Sequence, residues 1–255
     1  MRNGMQTRKR QYGFSLLELM MVLLILSIMM GSVFTQISLV QARSSAEQTK
    51  LDMFQESREF MDQLERDLHE AGYPNSRNFG SGMVINGITE PGNAVGLVKV
   101  DVNELWFEGD VDGDGLVDSV QYQYDGTSTG CPCLKRSQVS KVSGDPLTGQ
   151  GSSFQTEVQN VQNPTSIFSA YKFDGTQVTL PVDINSAPTT IASIKTIRIQ
   201  INVQSKQFDV QTRQFPQVTL SNTVSLNNCS QAPTCIGTGT SRVCGPGGGL
   251  PMSCN

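Results

Sequence analysis

Gly13-Phe14-Ser15-Leu16-Leu17-Glu18 opens a run of apolar residues that decides how the rest of the chain is organised. The run continues as Leu19-Met20-Met21-Val22-Leu23-Leu24-Ile25-Leu26-Ser27-Ile28-Met29-Met30 and passes Gly31 to reach Phe34. It is long enough to cross a bilayer as a helix, which takes roughly 20 residues. A basic tail precedes it (Arg2, Arg8, Lys9, Arg10), and no Lys or Arg follows between 11 and 42. That asymmetry predicts a cytoplasmic N-terminus with the remainder exported. One acid, Glu18, interrupts the run. A carboxylate near a bilayer centre costs about 2.5–3.5 kcal/mol, so Glu18 calls for a partner and a purpose.

The helical pattern outlasts the apolar run. From Gln36 to Ala71 there is no proline and no glycine. Leu51, Phe54, Met61, Leu64 and Leu68 recur at helical spacings, and charged residues such as Glu47, Lys50, Arg58, Asp62 and Asp67 fall mostly on other faces. Gly72 and Pro74 end the pattern. A continuous helix from 14 to about 70 would be roughly 85 Å long. Gly31-Ser32 offers a place for a break into two helices.

After Pro74 the texture changes to strands. Val95–Val100, Glu104–Phe107, Ser119–Tyr124, Ile197–Val203 and Val218–Leu226 read as β segments. Phe168–Phe173, the turn Asp174-Gly175 and Gln177–Leu180 read as a hairpin. Residues 138–165 read as a long loop or insertion, and Gly245–Gly249 as coil. The sum is α+β, with one long helix packed on an antiparallel sheet.

Of the 255 residues, 19 are basic and 23 acidic. Removing the four basic residues of 1–13 leaves 15 against 23, a net charge of −8. That balance argues against general nucleic-acid binding, which favours a basic face. All six cysteines (Cys131, Cys133, Cys229, Cys235, Cys244, Cys254) lie on the side expected to be exported, where disulfides form. The preferred arrangement staples the C-terminal tail to itself or to the Cys131-Cys133 loop. A zinc site is disfavoured, because no Cys-x-x-Cys pair occurs and the only histidine is the distant His69.

Asp110-Val111-Asp112-Gly113-Asp114-Gly115-Leu116-Val117-Asp118 is a second motif. EF-hand calcium loops place oxygens at positions 1, 3, 5, 7 and 9, with glycine at 6. Here these fall on Asp110, Asp112, Asp114, the Leu116 carbonyl and Asp118, with Gly115 at 6. Position 12 is Gln121 instead of the bidentate Glu, so a calcium affinity of about 10⁻⁴–10⁻³ M is expected. The competing reading is a solvated acidic turn between strands. With one helical His, no Gly-x-Ser-x-Gly elbow and no phosphate-cradling loop, no catalysis is expected.

The N-terminal residues, from the basic tail through Gly13-Phe14 to Glu18 and the apolar run, resemble the prepilin signature of type IV pilins and type II secretion pseudopilins. The resemblance covers residues 1 to about 35. It implies that a prepilin peptidase cuts between Gly13 and Phe14, that Phe14 is then N-methylated, and that Glu18 neutralises the Phe14 ammonium of a neighbouring subunit. Two opposite charges buried in an apolar filament core are tolerable only when paired. The division expected is leader 1–13, transmembrane and filament-core helix 14–35, amphipathic continuation 36–72, β-rich head 73–228 and Cys/Gly/Pro-rich tail 229–255. Glu70-Ala71-Gly72-Tyr73, Tyr122-Gln123-Tyr124-Asp125, Leu134-Lys135-Arg136 and Ser221–Asn228 loosely resemble PilW-type minor pilins and J-type minor pseudopilins. Asn227 stands where such proteins often carry Arg.

The implied role is a minor pilin of a type IV pilus, at its initiation or tip. The alternatives are a J-type pseudopilin of a type II secretion system and a membrane-anchored binding protein or adhesin. The implied partners are other pilin or pseudopilin subunits, the prepilin peptidase, the inner-membrane assembly platform and, before assembly, membrane lipid. The implied route runs from the inner membrane to the cell surface. An ordinary signal peptide cut after Val40-Gln41-Ala42 is the competing reading of the N-terminus; it would carry an overlong apolar region and an acid. A plain membrane anchor explains the length but not the Gly13-Phe14 junction.

Overall fold

A computed structural model describes residues 13, 15–74, 89–163, 166–209, 212–228, 233–236 and 243–246. Its spine is one unbroken helix, α1 (Leu16–Glu70). At 1.5 Å per residue its 55 residues measure roughly 83 Å. Gly31-Ser32 does not interrupt it. Ser27, Thr35 and Ser38 return their hydroxyls to carbonyls four residues back, and Ser32 to one three back, so these polar groups are satisfied inside the helix.

The buried face of α1 is Met53, Ser57, Phe60, Met61, Leu64, Asp67 and Leu68. This corrects the expected stripe at its upstream end. Leu51 and Phe54 are exposed, because the face buried at this level is that of Met53 and Ser57. Leu64 and Leu68 lose all exposure, which stabilises the docked helix by about 2–3 kcal/mol per side chain.

The head holds a six-stranded antiparallel sheet and a three-stranded one. The first contains β1 (Gly96–Val100), β2 (Glu104–Gly109), β3 (Asp118–Asp125), β4 (Cys133–Ser140), β5 (Phe154–Gln159) and β7 (Val182–Asp183), in the order β5-β4-β3-β2-β1-β7. The second places β8 (Ile194–Gln204) between β6 (Phe168–Lys172) and β9 (Gln217–Ser225), and α2 (Pro188–Ala192) leads into β8. Ile197, Ile199, Ile201 and Val203 of β8 alternate into the core as their period predicts. The core joins both sheets to α1.

Three expectations need correction. The stretch 138–165 is not one loop, since it contains the end of β4 and all of β5. Its Ser, Gln and Thr residues still pair because β5 is an edge strand with one buried residue, Val158. The return arm 177–180 is a single bridge, Tyr171 to Gln177, followed by a hydrogen bond from the Val178 N–H to the Ala170 carbonyl. Gly245 and Pro246 belong to β11 (Val243–Pro246), which pairs with β10 (Pro233–Ile236), so the coil assigned to 245–249 fails at its start. Residues 247–249 lie outside the described residues.

The end of α1 is stitched to the end of β2. Ala71 bridges Gly109, the Gly72 N–H donates to the Glu108 carbonyl at 2.8 Å, and the Asp110 N–H donates to the Tyr73 carbonyl at 2.8 Å. Gly109 permits this approach: a Cβ there would stand 2.4 Å from the Glu70 carbonyl oxygen. The helix terminus and the acidic loop after β2 are thereby fixed to each other.

Candidate functional site

Ser15 caps α1 in extended conformation without a side-chain bond, and its carbonyl accepts from the Leu19 N–H at 3.1 Å. Gly13 is exposed just upstream, and Phe14 lies outside the described residues. Glu18 sits exposed in the first helical turn, where a negative charge opposes the helix dipole favourably. Every large apolar residue from Leu16 to Val40 is exposed, with Leu16 at 77%. By length and composition this part of α1 can cross a membrane. Glu18 therefore projects from an apolar cylinder that no other part of the chain covers among the described residues.

The acidic loop joins β2 to β3 as a hairpin connection. Asp110, Asp112 and Asp114 each present a carboxylate oxygen within 4.8 Å of the others. Gly115 adopts φ +85°, a left-handed conformation that suits the glycine of such a turn. Asp110 accepts from the N–H groups of Gly113 and Gly115, Asp112 from Asp114, and Asp114 from Leu116. Asp118 begins β3 and is nearly buried. Burial pushes its carboxyl above the usual range, the Gln138 amide opposes that, and the charges of Asp112, Asp114 and Asp110 add to the rise. Gln138 Nε2 donates to Asp118 at 2.7 Å and to Asp112 at 3.1 Å, so one neutral amide bridges the two carboxylates. Gln121, at position 12 of the loop pattern, is buried within β3.

A polar network ties this loop to the spine. Asp67 Oδ2 accepts from the Tyr122 hydroxyl at 2.6 Å and from Arg136 at 2.8 and 2.9 Å. Arg136 also donates to Gln138 Oε1 at 2.8 Å. Burial, with the Asp67 charge, raises the Tyr122 hydroxyl well above its ordinary value. Burial alone would weaken the Arg136 charge, but Tyr122 and Asp67 more than offset it. The sequence reading did not single out this network, although a signal was present: Asp67 lies three residues after Leu64 and seven after Phe60, in phase with the apolar stripe. A second buried pair, Glu108 and Lys141 at 2.7 Å, lies behind β2. Burial pushes both groups toward their neutral forms.

Cys131 and Cys133 are bonded to each other, with Cα atoms 4.5 Å apart. With these two joined to each other, the expected tie from this loop to the tail is not formed, and the alternative of a tail stapled to itself stays open. Cys235 and Cys244 occupy facing positions in β10 and β11. Cys229 and Cys254 lie outside the described residues.

No curated protein matches the chain. The family of the prokaryotic N-terminal methylation motif matches residues 8–34, the segment that holds Gly13, Phe14 and Glu18. The match supports the type IV pilin and pseudopilin class, with processing by a prepilin peptidase and assembly with other subunits.

Proposed function

We propose that this chain is a minor pilin, a structural subunit that enters a type IV pilus at its initiation or tip and acts by assembly rather than by catalysis. One observation carries the reading: a single unbroken helix has an exposed apolar first half bearing Glu18, and a second half packed into a folded head. Such a helix is stable in lipid before assembly and in a bundle of like helices afterwards. Moving between them, Glu18 would leave lipid for the Phe14 ammonium of a neighbour, a pairing that makes two buried charges tolerable. The N-terminus would lie in the cytoplasm and the head outside the inner membrane, as the basic leader favours.

Mass spectrometry of the mature N-terminus tests this. The expected species begins at N-methyl Phe14. A chain that retains the leader, or begins at Arg43, overturns the reading.

The acidic loop is proposed to hold calcium through Asp110, Asp112, Asp114, the Leu116 carbonyl and Asp118. A hard cation would neutralise carboxylates held this close, a need that Gln138 and the loop N–H groups meet only in part. The cation would stiffen the β2–β3 connection where it meets the end of α1. Melting the purified protein with and without calcium tests it; no shift at millimolar calcium removes the site.

A further inference from the structure

We propose that Lys141 and Asn93 join through an intramolecular isopeptide bond, with Glu108 as the group that carries the proton. The bond is a self-catalysed modification of the head and does not depend on the pilin reading.

Polar residues from three separate stretches of chain meet in one closed space. Asn93 lies just before β1, Glu108 is in β2, and Lys141 follows β4. The side chains of Lys141 and Glu108 are both 0% exposed, and Asn93 is 2% exposed. Ala94 and Val95 beside them are fully buried, which keeps water away. Lys141 Nζ donates to Glu108 Oε2 at 2.7 Å and to the backbone carbonyl of Asn93 at 2.7 Å. The Val95 N–H donates to the same Glu108 oxygen at 3.2 Å. The amine is thus anchored on the residue whose carboxamide it would attack. Asn93 Cγ is joined through Cβ to the Cα beside that carbonyl, and the burial of Asn93 keeps its carboxamide inside the same space.

A structural ion pair alone explains this place poorly. Two charges taken out of water are offset only when their remaining polar atoms are also bonded. Glu108 Oε1 is buried and has no hydrogen-bond partner among the described residues. A bare carboxylate oxygen next to an amine and a carboxamide is where acyl transfer can hold a proton in passage. The Lys141 ammonium first passes a proton to Glu108, which leaves the neutral amine that burial favours for a lysine. The amine lone pair forms a bond to Asn93 Cγ, and the bond from Cγ to the amide nitrogen breaks. That nitrogen leaves as ammonium, taking one proton from the amine and the one held by Glu108, whose carboxylate is restored. Nothing is oxidised or reduced, and no further reagent enters. Exclusion of water protects the step from competing hydrolysis. The product closes a covalent loop around β1, β2, β3 and β4, the middle of the six-stranded sheet. Neither reductant nor denaturant opens such a loop.

The test is mass spectrometry of the full chain, purified in detergent, denatured, and with its cysteines reduced and alkylated. Compared with Lys141→Arg, the wild type should be lighter by one ammonia, about 17 Da, beyond what the substitution accounts for. Tryptic digestion should give a branched peptide in which Lys141 is uncut and joined to Asn93. Folded Glu108→Gln should lack both the mass loss and the branch. Where that variant does not fold, the wild-type digest decides alone. A wild-type chain without the branched peptide overturns the proposal. So does a loss of ammonia with Lys141 still open to trypsin, because Asn93 would then have cyclised on its own backbone. A branch that persists in folded Glu108→Gln overturns the role of Glu108.

Discussion

The two halves of α1 share one backbone and live in different solvents. Residues 16–40 present apolar side chains all round, with Leu16 at 77% exposure, while Leu64 and Leu68 show none. The second half is amphipathic because the head covers only one of its faces. The first half is apolar on every face because whatever covers it, lipid or other helices, surrounds it. Head stability should therefore depend on the second half alone, and membrane residence and assembly on the first.

Glu18→Ala tests this division with the largest expected effect. The variant should reach the membrane in wild-type amounts and melt like wild type, yet be nearly absent from sheared fibres. Immunoblots of the fibre and membrane fractions give the readout. Loss of thermal stability in this variant would break the division, since Glu18 is exposed and touches no head residue among those described.

Leu64→Ala should do the reverse. Truncating a fully buried leucine costs about 2–5 kcal/mol, so denaturant unfolding of the detergent-solubilised chain should shift strongly. Leu23→Ala, in the exposed half, should leave the unfolding curve in place. Asp67→Ala should follow with about 2 kcal/mol, less than the 3–5 kcal/mol of a fully buried pair because Arg136 keeps some contact with water. Replacing both Asp67 and Arg136 by leucine should recover much of that loss.

Calcium should sharpen the same contrast. At ten times its dissociation constant it should stabilise the head by about 1.4 kcal/mol, and Asp110→Ala with Asp112→Ala should abolish the gain. Fibre incorporation should respond to this pair far less than to Glu18→Ala.

The spine was legible because its signals are local: an uninterrupted apolar run, then a 3.6-residue stripe closed by Gly72 and Pro74. The alternation of β3 and β8 was legible for the same reason. β5 was not, because Phe154-Gln155-Thr156-Glu157-Val158-Gln159 is an edge strand whose one buried residue, Val158, gives no period. Leu51 and Phe54 show the reverse failure: they are apolar and in phase, but exposed, because the head packs at this level on the neighbouring face of Met53 and Ser57, which periodicity alone does not pick out. In the acidic loop the three clustered aspartates follow from spacing alone. The bridge from Gln138 does not, since it comes from β4, whose register on β3 is a tertiary fact. Arg136 offers only Leu134-Lys135 as context in the sequence, while its partner Asp67 lies 69 residues away.

The smallest expected effect comes from acid, and it too should fall on the head alone. Asp125 closes β3, where Lys135 donates to it at 2.7 Å and the N–H groups of Thr127 and Ser128 each do so at 3.0 Å. These bonds, that of Lys135 foremost, hold its carboxyl well below the usual carboxylate range. A depressed folded value means that the ionised form favours the native state. The contribution is complete above the unfolded value of about 3.9, and it fades as pH falls from there toward the folded value. Asp125 is partly open to water, which screens the pair and keeps the effect small. Asp125→Asn should slightly lower the melting temperature near neutral pH and converge with wild type in strong acid. A constant gap across that range would mean that the hairpin turn depends on side-chain shape rather than on charge.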